Sequence, residues 1–161
     1  MSRKDIRKLA FEVRRVFMQD KSPYFDIVRF VENGLSYIWS DYDYEICAVD
    51  EMNDNHGLTD VKKHTIKIRE DVYEGAVAGN GRDRFTLAHE VGHLIIHSGQ
   101  NFKLARGKIK VYEDPEWQAD VFGGELLVPA HLMKGASLED IIMDCGVSTA
   151  AARCQIKQLY K

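Results

Sequence analysis

The sequence predicts an α+β fold, and three observations predict it. Apolar residues recur at three- and four-residue spacing near both ends of the chain. Between Tyr37 and Arg69 the spacing drops to alternation, the period of strands. A long apolar helix follows, and it carries His89-Glu90-Val91-Gly92-His93.

Taken in order, Ile6, Leu9, Ala10, Val13, Val16 and Phe17 predict a first helix that stops before Ser22-Pro23. Asp26 is placed to cap a short helix from Ile27 to Glu32, with Asn33-Gly34 ending it. The lysines and arginines of these helices read as a solvated face. From Leu35 onward, Tyr37, Trp39, Tyr44, Ile46 and Ala48 predict two strands folded back around Asp41. Asp50 to Gly57 reads as a plain turn, because it lacks the spacing and terminal glutamate of a calcium loop. His64 to Arg69 predicts a third strand around Ile66 and Ile68, and Asp71 a capped short helix through Tyr73 and Ala76.

Gly79-Asn80-Gly81 is a tight loop leading into the next helix, and no Lys-Ser/Thr follows to make it a phosphate cradle. That helix is predicted to be capped by Asp83, buried through Phe85, Leu87, Ala88, Val91, Leu94 and Ile95, and ended by Ser98-Gly99. Arg82 and Arg84 at its entrance are placed either to hold substrate groups or to form salt bridges inside the fold. Asn101 to Tyr112, with Lys103, Arg106, Lys108 and Lys110, predicts a lysine-guarded edge strand. Asp114 as cap and Pro115 at the first helical position start a helix that runs to Pro129.

In the tail, Ser137 caps a helix closed by Gly146, and Val147-Ser148 starts another, the outline of a helix-turn-helix. Thr149, Ala150 and Arg153 offer little for reading bases, so packing or protein docking is expected in place of DNA binding. A division into residues 1–133 and a helical tail at 134–161 is expected.

The 161 residues suffice for a real core, and a net charge of -3 supplies no general attraction to nucleic acid or acidic membranes. No stretch of eighteen apolar residues and no signal-peptide pattern is present, so the expected location is cytoplasmic. Cys47, Cys145 and Cys154 form no Cys-x-x-Cys pair and read as reduced thiols.

Two histidines four apart share a helix face, so His89 and His93 can reach one cation. Glu90 is rotated off that face by about 100°, where it can face a water at the metal without entering the ligand set. Two nitrogen ligands, an acidified water and a base are the parts of a zinc hydrolase. A third protein ligand is needed. His97 lies about 12 Å along the helix from His89, too far to share an ion. Glu116 ranks first, ahead of Glu113 and Glu125. If its helix runs antiparallel to the first, Asp120, one turn on, can orient His89 through its second ring nitrogen. Gly123-Gly124 then suggests close helix–helix approach.

The run Arg84-Phe-Thr-Leu-Ala-His-Glu-Val-Gly-His-Leu-Ile-Ile-His97, with Glu116-Trp-Gln-Ala-Asp-Val-Phe122 and Leu126-Leu-Val-Pro129, resembles the ImmA/IrrE family of metallopeptidases. The departure is Gly123-Gly124, where that family often has alanines. The resemblance implies a zincin-like core: a small twisted sheet, the His-Glu-x-x-His helix and an antiparallel ligand helix. It also implies zinc held by His89, His93 and Glu116 with Glu90 as base, and cleavage of helix-turn-helix repressors of mobile elements or stress responses. Tyr73, Tyr112, Arg82 and His97 are the candidate donors to the tetrahedral oxyanion. The alternative is a regulatory protein that keeps zinc structurally and binds a repressor or DNA without cutting; the intact Glu90 argues against it.

Overall fold

The structure, a computed structural model, describes residues 1–98 and 114–160. The edge strand expected at Asn101–Tyr112, together with Glu113, lies outside the described residues. Among those described, eight α-helices surround a small three-stranded mixed sheet, an α+β architecture.

Helix α1 (Arg3–Val16) opens on a reciprocal cap between Ser2 and Asp5 and buries Ile6, Leu9, Ala10 and Val13. Asp26 caps α2 (Ile27–Arg29) by accepting from the Arg29 amide. Asn33-Gly34 does not end the helical run, as its sequence suggests. A π-turn over Phe30–Gly34 and a 3-10 turn over Leu35–Tyr37 extend it. The reason is packing. Gly34 keeps a right-handed backbone against the Phe30 ring, where a Cβ would come within 2.4 Å of a ring carbon, and Leu35 is fully buried. The first of the two strands expected around Asp41 is therefore absent. Tyr37 points to solvent, and Trp39 buries its indole against the His64 ring.

Only β1 (Asp43–Cys47) forms there. It pairs in parallel with the central strand β3 (Thr65–Arg69), which pairs antiparallel on its other side with β2 (Gly57–Asp60). Ile66 and Ile68 bury one face of β3, as their alternation requires. β2 went unread because it is four residues long and emerges from an Asn/Asp/Gly-rich stretch.

Two predicted caps are displaced. Asp71 does not cap α3 (Glu70–Val77). That helix starts directly after the strand, and Asp71 pairs with Arg69 at 2.6 Å. Asn80, not Asp83, caps α4 (Gly81–His97), accepting from the Arg82 and Asp83 amides. Gly79, at φ 87, turns the chain so that Asn80 arrives there, and Asp83 stays in the first turn where a carboxylate suits the helix dipole. Asp114 caps α5 (Pro115–Leu127) by accepting from the Glu116 amide.

After the short α6 (Ala130–Met133), Ser137 and Asp140 form a reciprocal cap for α7 (Leu138–Cys145). Gly146, left-handed at φ 61, ends α7, and Ser148 caps α8 (Thr149–Ile156). Ile141, Cys145 and Ala152 of this pair join the same apolar cluster as Ile6, Leu94 and Phe122. Arg84 is fully buried and donates to the carbonyls of Phe25, Cys145 and Gly146. Among the described residues its acceptors are these backbone carbonyls and not a carboxylate. It latches the start of α4 to the α7–α8 turn.

Candidate metal centre

The site rests on how closely α4 and α5 approach. A Cβ at Gly92 would lie 3.0 Å from the Ala119 Cα, and one at Gly123 would lie 3.3 Å from the His89 amide nitrogen. Position 92 thus faces 119, and 89 faces 123, so the two helices run antiparallel. The same pairing sets His93 opposite Glu116 and His89 opposite Asp120. Gly123 serves this contact, whereas Gly124 faces the Gln155 amide of α8.

Three donor groups converge. The Nε2 atoms of His89 and His93 are 3.0 Å apart. The Glu116 carboxylate reaches His89 Nε2 at 3.2 Å and His93 Nε2 at 3.3 Å. A tetrahedral ion with bonds of about 2.0–2.1 Å holds its donor atoms roughly 3.3 Å from one another, so this spacing suits one ion. Among the described residues these three are the group that could hold a metal. Asp120 Oδ1 lies 2.8 Å from His89 Nδ1. A carboxylate there accepts a hydrogen bond from Nδ1–H, which puts the free lone pair on Nε2, the nitrogen turned toward His93 and Glu116. The imidazoles are mostly sheltered, while Glu116 stands 69% exposed, so the centre opens to solvent on the α5 side.

Glu90 is buried, at 6% exposure, beneath β2. Its Oε2 accepts from the Thr59 hydroxyl at 2.6 Å, and the Thr59 hydroxyl also lies 3.1 Å from the Glu90 carbonyl. Gly57 leaves the room, since a Cβ there would sit 2.7 Å from Glu90 Cγ. Burial raises the Glu90 pKa, and the Thr59 hydrogen bond with the nearby His89 and His93 opposes that rise without cancelling it. For His89, burial disfavours the charged ring, but Asp120, Glu90 and Glu116 outweigh it and hold the pKa above the ordinary value. Thr59 and Gly57 are site residues that the sequence did not disclose. Nothing in a four-residue strand signals that its threonine will cover a glutamate 31 residues away.

The remaining candidates separate. The His97 ring is 5.7 Å from that of His93 and stays outside the donor group. Its pKa is lowered by burial and then by His93. Glu125 is buried in ion pairs with Arg3 and Arg7, at 3.0 and 2.8 Å. The Tyr73 hydroxyl donates to Glu32, which with burial pushes its pKa up to about 12. Arg82 is exposed and lines a groove with Phe85, Trp117 and Asp120. Tyr112 lies outside the described residues. Asp50 and Glu51 lie in a 3-10 turn over Val49–Glu51, where the Glu51 carboxylate accepts from the Ala48 amide at 3.3 Å.

A search of curated proteins finds no significant match. The family model for the IrrE N-terminal-like domain of peptidase M78 matches residues 50–155, which span β2, β3, both helices of the donor group and most of the C-terminal pair. Over that span the chain belongs to the peptidase M78, or ImmA/IrrE, family of metallopeptidases.

Proposed function

We propose that the protein is a zinc-dependent endopeptidase in which His89, His93 and Glu116 hold the metal, Glu90 is the general base and Asp120 orients His89. The observation that carries this reading is the meeting of two imidazole nitrogens and one carboxylate at 3.0 to 3.3 Å, beside a buried glutamate outside their set. Bound there, zinc would supply Lewis acidity for the scissile carbonyl and would lower the pKa of the attacking water. Thr59 pins Glu90 Oε2, which leaves Oε1 to take the proton of the attacking water and return it to the departing amine. Asp120 keeps the His89 ring from turning and fixes its tautomer.

The substrate is a protein, a helix-turn-helix repressor of a mobile element or stress response by family resemblance, met in the cytoplasm. Free Cys47, Cys145 and Cys154, and the lack of a helix long and apolar enough to cross a membrane among the described residues, agree with that setting. Helices α7 and α8 act in packing and protein docking. Both contribute to the core, and Thr149, Ala150 and Arg153 present a surface poor in base-reading groups.

Two substitutions test the proposal, with zinc content and cleavage of genomically neighbouring repressors as readouts. Glu90→Gln keeps zinc and lowers cleavage by roughly a hundred- to ten-thousandfold, the usual contribution of a general base. Glu116→Ala loses zinc. Equal cleavage by wild type and Glu90→Gln would overturn the role of Glu90, and a zinc-loaded wild type that cleaves none of these repressors would leave only a non-cutting zinc protein.

A further inference from the structure

The basic residues of α1 do more than face water. Lys4, Lys8 and Phe11 share one face of the helix, and this face borders a cavity of about 290 Å³. Pro129, Ala130 and His131 close the opposite side. Among the described residues Glu125 is the one carboxylate in the wall, and its charge is already matched. It accepts from Arg3 at 3.0 Å and from Arg7 at 2.8 and 3.2 Å. Lys4 and Lys8 are exposed at the rim, and no ion pair engages either among the described residues.

Deeper in the wall, Arg14 is fully buried. Its acceptors are the backbone carbonyls of Ser22, Pro23 and Leu126, its Nε has no partner among the described residues, and no carboxylate bonds it. A buried guanidinium held by neutral carbonyls is costly to keep charged, and burial lowers its pKa to about 10, with Cys145 and Asp20 opposing only part of that effect. In a chain of net charge -3 this is a local concentration of positive charge over an apolar floor.

We propose that the cleft binds a small amphiphilic anion, with a carboxylate or phosphate head between Lys4 and Lys8 and an apolar body on Phe11, Pro129 and Ala130. The cavity has room for one such body and not for a folded segment. It lies beside the last turn of α5, nine residues or about 13 Å along the helix from Glu116. Binding here is therefore independent of the peptidase reading.

Calorimetric titration of the full chain with octanoate, octyl phosphate and octanol tests the site. Both anions should saturate a single site, the tighter of the two identifying the head group, with octanol at least about tenfold weaker. A Lys4→Ala/Lys8→Ala variant should weaken the anions roughly tenfold, as two solvent-facing ion pairs permit, and leave octanol unchanged. Ala130→Trp, which fills the cavity, should remove binding of all three. Amide shifts of the wild-type protein with octanoate should map to Phe11 and Ala130, a readout that needs no variant. Failure of either anion to saturate, octanol binding as tight as octanoate, or shifts centred elsewhere would overturn the proposal.

Discussion

At the scale of single residues, Thr59 shows how much of a site can lie outside its motif. Its hydroxyl fixes one oxygen of Glu90 at 2.6 Å in a buried setting, where a hydrogen bond to a charged group contributes about 1.5–3 kcal/mol. Thr59→Val keeps the shape and removes the donor. It should leave zinc content unchanged while lowering kcat about tenfold or more, and a kinetic assay beside metal analysis separates the two. The shared face of His89 and His93 was legible because a helix fixes what residues four apart can share. Thr59 and Gly57 were not, because their role depends on where β2 lands.

At the scale of elements, the contact between α4 and α5 sets the distances at the centre. A Cβ at Gly92 would press on Ala119 backbone atoms at 3.0 and 3.1 Å. Gly92→Ala gains about 1 kcal/mol of helix propensity. Overpacking costs about 1–3 kcal/mol, and a backbone neighbour cannot turn aside as a side chain can. Overpacking should win, lowering urea stability and weakening zinc binding together in a chelator competition.

The α7 cap makes a second prediction at this scale. The Ser137 side chain, and then its amide, hold the Asp140 pKa below the ordinary carboxylate value. A lowered folded-state pKa stabilises the fold above the unfolded value of about 3.9 and loses that effect as pH falls through the folded one. Ser137→Ala should lower Tm at pH 7, and the gap to wild type should narrow in melts below about pH 4.

At the scale of the whole molecule, Arg84 joins regions far apart in sequence. One buried guanidinium satisfies carbonyls at Phe25, Cys145 and Gly146, so the entrance of α4, the N-terminal segment and the tail share one anchor. Arg84→Met should destabilise by about 3 kcal/mol or more, because it strands several buried acceptors. Hydrogen exchange should show α7 and α8 losing protection along with the start of α4; protection lost from one of these alone would show that the latch does not couple them.

Local chemistry alone determined the helices with strong caps and apolar stripes, the central strand around Ile66 and Ile68, and the His-Glu-x-x-His face. These follow from periods and short-range hydrogen bonds that any chain context preserves. Tertiary packing decided the rest. Leu35 and the Phe30 ring pulled a supposed strand into a helical turn, β2 found its partner only across the sheet, and Arg84 chose carbonyls over carboxylates. Each of those outcomes depends on a neighbour distant along the chain, and such a neighbour leaves no mark on the residues beside the one it holds.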